Sequence, residues 1–222
     1  MKKYFKLSSV LFIVLISLSS FTTETNSPTN DPSFKPMADT AAFHAKLNEM
    51  SKKLTSLESD FVQEKNLSIL SEVISSKGHF YFKKPGTLKW EYNNPFTYII
   101  VINNGKISIK DDGKINKIDM SANKMFQEIN TKILDMLQGS ILNNTTDFKF
   151  KFFENEKFYL IDATPISKGM KDYFKTINIY FDKKDLSVSK LKMMELSGDY
   201  TDIIFSNKKQ NQGISNEVFN LK

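Results

Sequence analysis

Few residues in this chain have the types and spacing that chemistry needs. His44 and His79 are the only histidines and there is no cysteine. Two imidazoles without a thiolate or a nearby carboxylate cluster do not make a metal site, so neither a metal nor another cofactor is expected. The absence of cysteine also removes disulfides, thiolate catalysis and a lipid anchor on an N-terminal cysteine. No Gly-x-Ser-x-Gly elbow and no phosphate-cradling glycine loop is present among only eight glycines. Ser121, Ser187, Ser189 and Ser206 each open a Ser-x-x-Lys match, but 23 Ser and 31 Lys in 222 positions produce about three such matches by chance. Asp111-Asp112-Gly113 lacks the spacing of a calcium loop and reads as a hairpin turn. Asn144-Thr145-Thr146 matches a glycosylation acceptor in form only. For catalysis on a hydrophobic substrate, His79, Glu91 and Tyr92 are the one cluster to nominate.

The charge pattern excludes another class. All 31 basic residues are lysine, so no guanidinium fork for guanine or phosphate exists in the chain. Without Lys2, Lys3 and Lys6 of the leader, 28 basic residues face 25 acidic ones, a net charge of +3. Lysines alternate with acids, as in Asp182-Lys183-Lys184-Asp185, which describes a solvated face and no nucleic-acid footprint. Hydrophobic residues at 40%, charged residues at 25% and a mean hydropathy of −0.35 describe a water-soluble globule, neither disordered nor polytopic. The apolar content is soft and large: 19 Phe, eight Tyr, one Trp and nine Met. Such side chains fill a core, or line an adaptable greasy cavity.

Several elements must position these residues. Residues 1–21 read as a cleaved signal peptide: a basic start, then an apolar run centred on Val10–Ile16 that is too short to span a bilayer. Residues 22–37, with Pro28, Pro32 and Pro36, read as a flexible linker, leaving 38–222 as one domain. Asp39 or Thr40 caps a helix expected to run to about Asp60, with Phe43, Leu47, Met50, Leu54, Leu57 and Phe61 on one stripe.

From Leu67 the period changes to two. Phe80 and Phe82 alternate with polar neighbours, as do Leu88, Trp90 and Tyr92, and Tyr98 to Ile102 is apolar on both faces. Asn104-Gly105 and Asp112-Gly113 signal hairpins. Ser121 to Gln138 forms a second helix with Phe126, Ile129, Ile133 and Leu137 on one face, ended by Gly139. Strands resume at 146–153, 157–163, 173–182, 186–196, 200–206 and 214–221. The expectation is a mainly β, α+β fold of about ten or eleven antiparallel strands with two amphipathic helices inside its curl.

Taken in order, the helix stripe, Phe61-Val62-Gln63, the run from Gly78 to Pro95 (Gly-His-Phe-Tyr-Phe-Lys-Lys-Pro-Gly-Thr-Leu-Lys-Trp-Glu-Tyr-Asn-Asn-Pro) and Ile102-Asn103-Asn104-Gly105-Lys106 resemble the outer-membrane lipoprotein carrier family, LolA. The likeness continues through Thr164-Pro165, Thr176 to Asp182 and Ile203-Ile204-Phe205-Ser206-Asn207, covering roughly residues 40–222. It implies an incomplete antiparallel β-barrel whose concave face is closed by a helical lid over an apolar cavity. It implies a periplasmic, non-enzymatic, monomeric carrier of acylated lipoproteins or lipids. Its partners would be an inner-membrane ABC-type lipoprotein release complex and an outer-membrane acceptor, without nucleic acid.

The residues this places at the ligand are Phe43, Leu47, Met50 and Leu54 with Phe126, Ile129, Ile133 and Leu137 on the lid, and Phe80, Phe82, Leu88, Trp90, Tyr98 and Ile100 on the sheet. A shift of register by one residue would exchange the whole sheet set for its neighbours. Family members often carry Arg before the proline of the strand-loop-strand motif, where its fork bonds lid carbonyls. This chain has Lys84, from which single bonds are expected. Two other readings accompany the carrier: a binding or sensor protein of the same fold for another amphiphile, and an enzyme using His79, Glu91 and Tyr92.

Overall fold

Alternation of apolar and polar residues, from Ser56 to Asp119 and again from Phe148 to Phe205, lays most of this chain into one antiparallel sheet. The computed structural model describes residues 31–70, 72–103, 106–119 and 124–221. The expected signal peptide, residues 22–30 of the expected linker and the Asn104-Gly105 turn lie outside these.

The strands are β1 (Lys35–Pro36), β2 (Ser56–Asn66), β3 (Val73–Lys83), β4 (Thr87–Asn94), β5 (Tyr98–Asn103), β6 (Lys106–Asp111), β7 (Lys114–Asp119), β8 (Phe148–Glu154), β9 (Phe158–Pro165), β10 (Phe174–Asp182), β11 (Val188–Glu195) and β12 (Tyr200–Gln210). They pair in the order β1-β8-β9-β10-β11-β12-β2-β3-β4-β5-β6-β7, so the sheet is open. The count is twelve, with a two-residue first strand, against the ten or eleven expected. Two helices, α1 (Thr40–Lys53) and α2 (Lys124–Gln138), cover the concave side of this open barrel.

Asp39 starts α1, its carboxylate accepting the Ala42 N–H at 2.8 Å. The helix stops at Lys53, well short of Asp60, because Leu54 is extended and Ser56 enters the ladder opposite Lys83. Leu57 and Phe61 therefore belong to a strand. Their spacing of four is even as well as helical, so one face of a strand and one face of a helix both accept it. The second correction is at the C-terminus, where the expected strand 214–221 is a 3-10 turn, Asn216–Phe219. Ser215 accepts the Glu217 N–H there, and Ile214 and Phe219 pack on the outer faces of Ile99 and Val101.

Part of the expected linker is also ordered. Lys35 and Pro36 pair with Glu154 and Phe153, Met37 N–H donates to Phe152 O at 3.1 Å, and the Phe34 ring meets Tyr180 at 5.9 Å. The Asp112-Gly113 hairpin forms as expected, both residues at positive φ, +48 and +76.

One parity runs through the ladder. Phe61 stands opposite Phe205 and Gly78, Gly78 opposite Tyr92, and Tyr92 opposite Tyr98. The next row is Ser59, Phe80, Trp90, Ile100 and Ile109. On the other wing Phe152, Ile161, Ile179, Leu191 and Ile203 stand side by side. These residues make one contiguous core on the inner face.

Gly78 is the tight point of this packing. A Cβ there would sit 1.9 Å from the Glu91 carbonyl oxygen and 2.9 Å from the Phe61 ring. Gly78→Ala is expected to lose more than about 3 kcal/mol in urea denaturation, since strand backbone must move to admit the methyl. A loss under about 1 kcal/mol would show that β3 and β4 separate freely at this row.

Candidate functional site

The inner wall is built by strand parity. Phe80, Phe82, Leu88, Trp90 and Tyr98 are buried in the core, and Ile100 is half-buried against it in the Phe80 row. The register of the sheet set is therefore the one that places these residues inside, while Ile99 and Val101 face outward beneath the C-terminal turn. Aromatic rings knit the centre: Phe61 to Trp90 and to Tyr92 at 5.0 Å each, Phe80 to Trp90 at 4.5 Å, and Trp90 to Phe205 at 6.2 Å. Leu57, Phe61, Ile102, Ile107, Ile109 and Phe205 share the wall. The same alternation that marked Phe80 and Phe82 marks them too.

The helices meet the wall through apolar contacts. Phe43 lies 4.6 Å from the Tyr159 ring and 6.0 Å from Phe181, which seats α1 over β9 and β10. Leu47 and Leu54 are buried, and Met50 is partly buried against the same core. On α2, Leu137 and Met136 are buried and Ile133 packs against the core. The side chains of Phe126 and Ile129 lie outside the described residues. Gly139 ends α2 in close contact with Leu47, where a Cβ would come within 2.7 Å of Leu47 Cδ1. The turn after it, Ser140–Asn143, buries Ile141 and Leu142.

Two polar ties hold this cover at its margins. Lys84 Nζ donates to Ser51 O at 2.7 Å and to Lys52 O at 3.3 Å, at the carbonyl end of α1 where a cation is favoured. Single bonds are what lysine was expected to make here, and its ammonium, with three donors, makes them to two consecutive carbonyls. Lys132 Nζ donates to Asp147 Oδ2 at 2.5 Å, tying α2 to the loop before β8, and Asn144 Nδ2 donates to the same oxygen at 2.7 Å. The Lys132 bond, supported by Asn144 and opposed by burial, holds the Asp147 carboxyl below its ordinary range.

The inner face of β2 carries three polar residues in its apolar row: Ser59, Gln63 and Lys65. Tyr92 Oη donates to Gln63 Oε1 at 3.0 Å, and Lys65 is bonded to Glu195. Burial raises Glu195 from the ordinary carboxylate value, against the pull of Lys65. Burial pushes the Tyr98 phenol up to about 12, with Asp111 adding to it, and raises Tyr92 further. Both phenols are neutral hydrogen-bonding groups at neutral pH, and neither is a base.

The nominated catalytic cluster does not assemble. His79 and Glu91 pair across the ladder on the outer face, where His79 Nδ1 lies 2.6 Å from Asp60 Oδ1 and Glu91 pairs with Lys89 at 2.7 Å. Tyr92, one residue on, points to the inner face. Among the described residues, no three His, Cys, Asp or Glu come together to hold a metal, and no helix is long and apolar enough to cross a membrane.

Removing the amine in Lys84→Ala should free the end of α1. Amide exchange over residues 40–53 is expected to quicken about five- to thirtyfold, with Lys84→Arg close to wild type. Unchanged exchange would show that the two carbonyl bonds do not hold the helix. Asp147 predicts a pH effect of stated sign. Its folded value is depressed, so the stability it contributes is present above the unfolded value near 4 and is lost as pH falls through the folded one. Between about pH 5 and 2 the melting temperature of Asp147→Asn should therefore fall less steeply than that of wild type. Parallel curves would remove the Lys132 pair as a stabilising contact.

The family model of the outer membrane lipoprotein carrier protein LolA matches residues 52–222. No curated protein matches the sequence. Among solved structures, that of MucB has a TM-score of 0.50 at 11% identity, covering 84% of this chain and 64% of its own. A LolA superfamily protein of Nitrosomonas europaea has a TM-score of 0.44 at 10% identity, covering 83% and 99%. The Mycobacterium tuberculosis lipoprotein LppX has a TM-score of 0.46 at 15% identity, covering 80% and 99%. At 11% identity the likeness to MucB is one of fold. With its family model matched from Lys52 to the C-terminus, and with an open barrel covered by two helices, the chain belongs to the LolA family of outer membrane lipoprotein carrier proteins.

Proposed function

We propose that this protein is a periplasmic carrier that buries the acyl chains of lipoproteins between the inner wall and the two helices. It would collect them from an inner-membrane ABC-type release complex and hand them to an outer-membrane acceptor. The observation that carries this reading is an apolar concave face covered by helices that rest on apolar side chains and are tied by few polar bonds. An acyl chain of about fifteen methylenes resists water by roughly 12 kcal/mol, at about 0.8 kcal/mol per methylene, so it does not cross an aqueous compartment unassisted. A carrier must cover that area and still release it. Contacts without directional bonds suit both needs, because helix and acyl chain compete for one wall on equal terms.

Phe80, Phe82, Leu88, Trp90, Tyr98 and Ile100 would form the wall, and Phe43, Leu47, Met50, Leu54, Ile133 and Leu137 the lid, to which the sequence pattern adds Phe126 and Ile129. Lys84 would set how readily α1 lifts. Hand-over also needs a surface for partners. Exposed Ile69, Leu70, Phe96 and Leu196, on three loops at one end of the sheet, are the apolar side chains such partners would meet.

Organic extraction of the mature protein purified from its own cells, followed by mass spectrometry, is expected to yield stoichiometric lipid or lipoprotein. Failure to bind any acylated ligand or hydrophobic dye would overturn the reading. Charged substitutions of lid residues sharpen the test. Leu54→Glu and Ile133→Glu should each weaken dye or lipid capture by about tenfold or more, whereas Lys52→Glu on the outer face should change it less than about twofold. Equal effects at all three positions would mean that the helices are no lid.

A further inference from the structure

Gln63 and Lys65 on the inner face of β2 have side-chain partners, and Ser59 on the same face has none. Ser59 is 1% exposed, and its Oγ makes no hydrogen bond. It alternates with Leu57 and Phe61 and stands opposite Phe80, whose ring lies 4.5 Å from Trp90. A buried hydroxyl left unmatched costs free energy that an alanine would not. On the β3 side the neighbours of Ser59 are Phe80 and, beyond it, Trp90; on the other side the ladder shifts register between Ser206 and Lys209 of β12, where Asn207 Nδ2 and Lys208 Nζ donate to Asp60 and Ser189 and not to Ser59. What fits the spot is an acceptor that arrives attached to hydrocarbon.

We propose that Ser59 Oγ–H donates to the carbonyl of an ester- or amide-linked acyl chain, so that the inner wall selects acyl-linked amphiphiles over plain alkyl chains. This rests on the carrier reading and adds to it the residue that would recognise the acyl linkage. The aromatic and aliphatic wall recognises only greasiness, which is nearly indifferent to how the chain is joined to its head. One donor in that wall discriminates, because a ligand without the carbonyl leaves the hydroxyl unpaired.

The test compares two glycerol lipids in detergent micelles, dipalmitoylglycerol and its dihexadecyl ether, as competitors of a hydrophobic dye on the mature protein. Wild type is expected to bind the ester about fivefold more tightly than the ether, the size of one net hydrogen bond. Ser59→Ala should bind both alike, at the wild-type affinity for the ether, and should melt no lower than wild type when free of ligand. An ester preference that survives in Ser59→Ala, or that is missing in wild type, overturns the proposal and leaves the carrier reading intact. A lower melting temperature for ligand-free Ser59→Ala also overturns it, since the hydroxyl would then have a partner inside the protein. Failure of wild type to bind either lipid removes the carrier reading, and this proposal with it.

Discussion

Every other feature depends on a single condition: the concave face of the sheet is apolar across its width and must be kept from water. Strand parity makes that face in one stroke. Because Phe61, Gly78, Tyr92 and Tyr98 share a row, and Phe152, Ile161, Ile179, Leu191 and Ile203 share another, a slip by one residue in any strand would turn its whole inner set to solvent. Gly78 shows how closely the rows are fitted. Phe61 lies over the bare backbone of Gly78, which gives its ring a seat between Trp90 and Tyr92. An open sheet of this kind has no second sheet to close against, so the two helices carry the whole duty of covering it.

That duty is met by contacts of modest and comparable size. A fully buried Phe or Leu is worth about 1.5–3 kcal/mol, so Phe43, Leu47 and Leu54 together hold α1 by roughly 5–9 kcal/mol. An acyl chain gains about 12 kcal/mol on leaving water, of the same order. Under the proposed carrier reading helix and chain would compete for one wall with contacts of the same order, and polar bonds at the cover would add to the side of the helices. Lys84 on the last carbonyls of α1 and Lys132 on Asp147 are such bonds. Lys84 reaches carbonyls at the end of α1, that of Lys52 exposed, whereas Lys132 is buried beside Asp147, so breaking its bond would leave a shielded ammonium without its counter-ion. The contact between Leu47 and Gly139 couples the two helices, since a movement of α1 carries Leu47 off the end of α2.

Much of this was legible in the amino-acid order, and the failures have physical causes. Alternating Phe80, Phe82, Leu88 and Trp90 announced the strands, while which of their faces turns inward was left to the register, and the structure buries these four. The stripe Phe43, Leu47, Met50 and Leu54 announced α1. It misled beyond Leu54, where the spacing of four between Leu57 and Phe61 satisfies both periods and only pairing with β3 and β12 decides. The C-terminal segment misled for the opposite reason: Ile214, Val218, Phe219 and Leu221 are apolar enough for a strand, yet Ser215 caps a turn and the segment packs on the sheet's outer face. Lys84 could be placed at the lid from its motif, but its second carbonyl is a matter of where Ser51 and Lys52 end, which no spacing states. The cluster of His79, Glu91 and Tyr92 failed on parity alone, with Tyr92 on the face opposite the other two.

The same misreading of Leu57 to Phe61 hid the most informative strand in the sheet. Read as helix, residues 56–60 put Ser59 on no apolar stripe. Placed on β2, near the middle of twelve strands, Ser59, Gln63 and Lys65 become inward-facing points spaced by four and two residues along an apolar wall. An extended chain rises about 3.3 Å per residue, so these points span roughly 20 Å, comparable with the length of a long acyl chain. A wall of hydrocarbon and aromatic rings binds by area and cannot tell one greasy chain from another of equal size. Polar groups set at fixed depths in such a wall can, because each must be matched or left bare, and leaving one bare costs more than a matched bond returns. The buried pair of Lys65 and Glu195 and the bond from Tyr92 to Gln63 are matched within the protein, so they shape one end of the wall without asking anything of a ligand. Under the proposal for Ser59, selectivity would reside in a very small number of atoms on one strand, while the rest of the concave face would supply affinity.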